Sequence, residues 1–140
     1  MAYWLVKTEP EEFSWDQQVK AGKKGTPWTG VRAHPAKQHL QKMAKGDKAF
    51  FYHTGDEKQI VGIVEIARTA YPDPTAGKDE PWVVVATVPA EPLKTPVTLA
   101  QIKADAKLKD MVLVRIGRLS VQPVTDAEWK HICKLGGVKA

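Results

Sequence analysis

Apolar side chains crowd the first residues of this 140-residue chain, Tyr3-Trp4-Leu5-Val6, before Lys7 and the Thr8-Glu9-Pro10 break. That pattern predicts a strand over 3–7, ended because Pro10 disfavours helical backbone at Glu9. Ser14 with Gln17 three residues later is a capping box and predicts a helix over 14–21. The glycine- and lysine-rich stretch 22–30 reads as a loop. Pro35 suits the first turn of a helix that runs to Ala44 and is closed by Gly46. Ala36, Leu40 and Met43 share one face of it, leaving Lys37, Gln41, Lys42 and Lys45 for solvent.

Gly46-Asp47 turns the chain into an aromatic strand, 48–53, and the Gly55-Asp56 turn leads to an antiparallel neighbour over 59–69. The proline-rich segment 70–81 predicts a long loop, and the β-branched run 82–88 a central strand. Thr98 with Gln101 and Thr125 with Glu128 repeat the capping box, each flanked by a hydrophobic staple, Val97 with Ile102 and Val124 with Trp129. Between them lie two short apolar stretches, 111–116 and 119–124, the second reading as a strand. Strands that do not alternate regularly with helices argue against a doubly wound sheet. The pattern predicts an α+β fold, a mixed, strongly curved sheet or barrel with helices packed outside, as a single domain over 1–140.

Composition adds little to the fold and something to the partners. The apolar (43%) and charged (26%) fractions are those of a globular protein, and the lone Cys133 excludes an internal disulfide framework. No apolar run approaches membrane-spanning length and the N-terminus lacks a signal-peptide pattern, so the expectation is a soluble, monomeric, cytoplasmic protein, or a nuclear one in a eukaryote. A net charge of +5 favours polyanionic partners.

Catalytic signatures are missing. The four histidines and Cys133 have no zinc-binding spacing, and neither a G-x-S-x-G elbow nor a phosphate-binding glycine loop occurs, so no metal or cofactor is expected. Glu11-Glu12 near a helix start reads as a complement to the helix dipole. Trp28, in the glycine- and arginine-bearing loop Pro27-Trp28-Thr29-Gly30-Val31-Arg32, is open to two readings, core anchor or ring-stacking face. His53-Thr54-Gly55 is either an ordinary strand end or a set of convergent polar groups. Tyr71 and Asp73 sit in a stiff Tyr-Pro-Asp-Pro segment, where Asp73 is either a turn residue or an acceptor for an exocyclic amino group. Arg115, Arg118, Ser120 and Gln122 cluster as donors or as surface ion-pair formers.

Taken together, Tyr3 through Pro10, Trp28 through Arg32, Met43 through Asp47, Phe51 through Thr54, Ile60 through Ile63, Tyr71 through Pro74 and Arg118 through Val124 resemble the EVE domain of the PUA-like superfamily. The resemblance covers nearly the whole chain. It implies a barrel-like mixed sheet related to the YTH and SRA-type readers, and a non-catalytic reader of modified cytosine in DNA, methylated or hydroxymethylated, that flips the base into a pocket. Trp28 would then form an aromatic wall, and Lys7, Thr8, His53 and Thr54 would supply polar contacts. Tyr71 and Asp73 would close one side, with Arg32, Arg118, Ser120 and Gln122 at the backbone or rim. The chain departs from the family pattern at Ala33-His34-Pro35-Ala36-Lys37-Gln38, where the family has Asn, Tyr, Gln, Ala, Arg, Asn, and at Thr54, where serine is usual. Two alternatives stand beside the reader: a small hydrolase acting on a nucleoside or RNA end with His53 and Asp73 or Glu9 as its acid–base pair, and a small-molecule or peptide sensor; for the reader itself DNA is expected ahead of RNA.

Overall fold

Strand β1 (Tyr3–Thr8) lies between two partners that set the geometry at its C-terminal end. It pairs in parallel with β3 (Lys48–His53), Thr8 facing His53, and antiparallel with β6 (Val121–Val124), Val6 facing Val121. The computed structural model, which describes residues 1–139, adds β4 (Gln59–Pro72), β5 (Val83–Thr98) and the short β2 (Thr26–Pro27). These form one mixed sheet in the order β2-β5-β4-β3-β1-β6. Helices α1 (Trp15–Ala21), α2 (His34–Lys42), α3 (Leu99–Ala104), α4 (Val112–Arg115) and α5 (Asp126–Leu135) complete the α+β architecture.

Strand alternation sends successive side chains to opposite faces, and here both faces are buried. Leu5, Phe50 and Tyr52 pack with Ile63, Met111, Trp129 and Cys133 on one side. Trp4, Val6, Ala49 and Phe51 pack with Trp28, Leu40, Val64, Val85 and Val121 on the other. This second cluster draws Val85 and Trp28 from near one edge of the sheet and Val121 from the opposite edge strand, so the sheet curls around it. Register shifts between Phe51 and Tyr52 and along β4–β5 supply the bending.

Buried polar groups lock the corners. Asp47 accepts from Ala2 N (3.1 Å), Trp4 Nε1 (3.0 Å) and Ala44 N (2.9 Å), tying the start of β1 to the α2–β3 turn. Burial alone would raise its pKa, but the bonds from Ala44, Trp4 and Ala2 hold it below the usual carboxylate range. Gln18, fully buried, donates to Thr87 O and accepts from Thr87 Oγ1, fastening α1 to β5. Cys133 is a buried thiol, pushed up to about 11 by burial first and by the nearby Glu91 charge second.

All three capping boxes form as the spacing predicts, on Ser14, Thr98 and Thr125. Other boundaries differ. The expected loop at 70–81 begins only after Pro72, because Tyr71 and Pro72 pair with Val84 and Val83. Strand β5 runs ten residues past its expected end at Val88, to Thr98. Prolines 89, 92 and 96 are tolerated there because β2 covers only Ala86 and Thr87 (the outer side beyond has no ladder to break). Helix α2 stops at Lys42 rather than Ala44, since Met43 turns extended and Ala44 N is taken by Asp47. The stretch 111–116 forms one helical turn, α4.

Candidate functional site

The parallel pairing of β1 and β3 puts both C-terminal ends on one side of the sheet, and antiparallel β6 begins there too. Lys7 N donates to Ser120 O (3.0 Å) and Thr54 N to Thr8 O (2.9 Å), so three chain segments meet within one hydrogen-bond layer. The curl of the sheet brings the β2 edge to the same place. A cleft of about 490 Å³ opens between them, lined by residues 7–9, Glu12, Phe13, residues 26–31, Thr54, Gly117, Arg118 and Ser120.

Aromatic surface forms part of the lining. Trp28 N donates to Val85 O (2.9 Å), and the indole stands edge-to-face with Phe13 (6.0 Å) and Phe51 (5.5 Å). At 6% exposure Trp28 is a core residue whose remaining surface opens on the cleft, so the two sequence readings of it are not exclusive. Phe13, half-buried, adds a second ring.

Polar groups surround these rings. Lys7 Nζ donates to Gly117 O (2.7 Å) and lies 5.6 Å from the Tyr52 ring centroid. Burial pulls the Lys7 ammonium below its usual pKa range. Thr8 Oγ1 donates to Phe13 O (3.1 Å), fixing the turn after β1. Arg118 is exposed and, among the described residues, has no ion-pair partner. A smaller recess of about 180 Å³ lies beyond the Lys7–Gly117 bridge, against Tyr52, Lys58, Leu99 and Leu113.

Of the residues that the family resemblance implies as base or backbone contacts, Lys7, Thr8, Trp28, Thr54, Arg118 and Ser120 line the cleft, whereas Arg32, His53, Tyr71, Asp73 and Gln122 do not. Asp73 is internal to a loop junction, accepting from Gly30 N (3.2 Å), Arg32 Nη1 (2.9 Å), Thr75 N (2.7 Å) and Thr75 Oγ1 (2.7 Å). Burial would raise its pKa, yet the bonds from Thr75, Arg32 and Gly30 bring it down to about 2. Arg32 is thereby committed to Asp73 and Thr75, and its guanidinium lies 5.9 Å from the Trp82 ring centroid. Tyr71 lies under the Arg68 guanidinium, 3.8 Å from it.

His53 is buried, with Nε2 accepting from Trp15 N (3.1 Å) and Nδ1 against Glu57 Oε1 (2.8 Å), so both ring nitrogens are occupied. Gln122 is fully buried opposite Leu5; its amide nitrogen donates to Leu119 O, and among the described residues its Oε1 has no partner. These five residues shape the loops and strand ends around the cleft without facing into it.

Nothing in the sequence pattern singled out Glu9 or Glu12 as cleft residues in a binding role, or Phe13, Thr26 or Gly117 at all. The lining from β2 depends on a two-residue strand in a stretch that reads as loop. Glu12 looks like an ordinary helix-start acid until the fold places it on the cleft that Trp28 also lines.

Comparison with known proteins places this geometry among relatives. Human thymocyte nuclear protein 1 is 32% identical over 165 aligned positions, which span 96% of this chain and 73% of the human protein. A solved structure from Rhodopseudomonas palustris superposes with a TM-score of 0.92 at 57% identity, covering 98% of this chain and 94% of that one. The crystal structure of human thymocyte nuclear protein 1 in complex with 5-methylcytosine-containing DNA superposes with a TM-score of 0.90 at 31% identity, covering all of both chains. Residues 2–135 match the EVE domain model, and the chain belongs to the EVE domain family.

Proposed function

We propose that this chain is a non-catalytic nucleic-acid-binding module that reads a modified base, methylated or hydroxymethylated cytosine in DNA, by taking the flipped base into the cleft beside Trp28. The observation that carries the reading is the human relative of the same fold, solved with 5-methylcytosine DNA. The site supports it. A cleft of about 490 Å³ is in the ordinary range for small ligands, and rings, hydroxyls and the cations Lys7 and Arg118 converge on it.

Extruding a base costs a few kcal/mol of unstacking, and an aromatic partner returns about 1–3 kcal/mol. Trp28 presents only a small surface, so hydrogen bonds from the strand ends and phosphate contacts from exposed cations such as Arg118 supply the rest. One methyl group contributes about 1–3 kcal/mol of discrimination, which sets a modest preference.

The hydrolase alternative draws less support, because His53 and Asp73 are both engaged in structural bonds. The reading carries with it a monomer in the cytoplasm, close to the nucleic acid. Titration of oligonucleotides that differ by a single 5-methyl group tests it. Tighter binding of the methylated oligonucleotide supports the reading; equal affinities, or hydrolysis of either oligonucleotide, contradict it.

A further inference from the structure

The smaller recess, beyond the Lys7–Gly117 bridge, is lined by donors. Lys7 and Lys58 bring two cations to it, and among the described residues neither has an ion-pair partner. Lys7 Nζ uses one of its N–H groups on Gly117 O and keeps the others free. No carboxylate lines the recess; Glu57, next to Lys58 in sequence, is bonded to His53 and Gln59. Tyr52 adds a buried donor. It is 3% exposed and borders this recess but not the cleft, and among the described residues its hydroxyl has no hydrogen-bond partner. Burial, with no bond to offset it, pushes the phenol above its usual pKa, so it stays protonated at neutral pH. A buried hydroxyl without a partner is costly, and its opening onto the recess points to an acceptor bound there. Lys58 is also held in place. At φ +46° it is the one non-glycine among the described residues in the left-handed region, and Leu99 N donates to its carbonyl (2.8 Å).

We propose that this recess is an anion site that takes a phosphate group, held by the Lys7 and Lys58 ammonium groups and the Tyr52 hydroxyl. Ionised phosphate oxygens only accept, and each of those three groups donates. A base edge mixes donors with acceptors and fits such a lining poorly. At about 180 Å³ the recess has room for the phosphate, and Leu99 and Leu113 close it with apolar surface that keeps water from weakening the attraction. Lys7, Thr54 and Gly117 line both spaces, so one nucleotide can occupy both, base in the cleft and phosphate in the recess. That last step rests on the base reading of the cleft; the anion chemistry of the recess does not.

The test uses inorganic phosphate and single-stranded DNA oligonucleotides with 5-methylcytosine or cytosine at one position, each with a 5′-hydroxyl or a 5′-phosphate end. They are titrated against the native chain, Lys58→Gln, Tyr52→Phe and, as control, Lys130→Gln, an exposed α5 position outside both spaces. Inorganic phosphate should shift the Thr54, Gly55 and Lys58 amide signals saturably in the native chain, and need about tenfold more phosphate in the two recess variants. Both variants should weaken the oligonucleotides by about tenfold, equally for 5-methylcytosine and cytosine, and Lys58→Gln should lower the salt slope by about one. Lys130→Gln should stay within about twofold of the native chain. Tyr52→Phe keeps the ring, and thermal melting checks that the fold is intact. Weakening with either end supports a site for an internal phosphodiester; weakening confined to the 5′-phosphate end supports a site for a terminal phosphate. Native affinity in both variants, or phosphate shifts absent from the recess, overturns the proposal. A native chain without preference for 5-methylcytosine, in which the phosphate shifts and variant losses persist, overturns the base reading and supports the phosphate site.

Discussion

Trp28 is wedged edge-on between Phe13 and Phe51 at 6% exposure, so its removal affects stability and the cleft together. Trp28→Ala is expected to cost about 3–5 kcal/mol in chemical denaturation, whereas Trp28→Phe keeps a ring and most of that stability. An alanine variant as stable as the native chain would contradict the core role. Asp73 gives a second residue-level test. Its carboxyl sits at about 2 when folded against an ordinary 3.8, so it stabilises the fold fully above pH 4 and loses that contribution as pH falls toward 2. Asp73→Asn should therefore cost about 2 kcal/mol at pH 7 and progressively less below pH 4, read from denaturation midpoints across pH. A cost that does not change with pH would count against this charge-based account. Trp28 stands out in sequence through its aromatic loop, and Lys7 and Thr8 through the family resemblance. The place of Glu9, Glu12 and Phe13 on the cleft does not, because it depends on where β2 docks from the far edge of the sheet.

Among the elements, local chemistry decides the helix starts and tertiary pairing decides the strand ends. The capping box needs only two residues three apart, which is why Ser14, Thr98 and Thr125 are legible without a fold. Thr125→Ala should lower stability by about 1 kcal/mol, through loss of the bond from Glu128 N to Thr125 Oγ1. The extent of β5 is not legible in the same way. Its proline-bearing second half is a strand because β4 supplies partners such as Val64 and Gly62, far away in sequence. Gly62 also lets the Trp15 ring pack against β4, where an added Cβ would come within 2.6 Å of it. Gly62→Ala is accordingly expected to destabilise by about 1–3 kcal/mol, as an overpacked core does, with a lowered Tm as the readout.

For the whole molecule, the curl of a mixed sheet is what turns separate segments into a site. The six-stranded order brings Trp28, just after the edge strand β2, and Val121 of the opposite edge strand β6 into one apolar cluster, and the cleft opens where the β1, β3 and β6 ends meet β2. The +5 charge predicts association with nucleic acid that weakens as salt rises, because phosphate contacts release counterions. The most direct test of the central claim is amide and indole chemical-shift mapping by NMR during titration with a 5-methylcytosine oligonucleotide. The account predicts saturable shifts concentrated at Thr8, the Trp28 indole, Thr54 and Ser120, and larger for 5-methylcytosine than for cytosine. Shifts confined to surfaces away from the cleft, or identical for the two oligonucleotides, would contradict it.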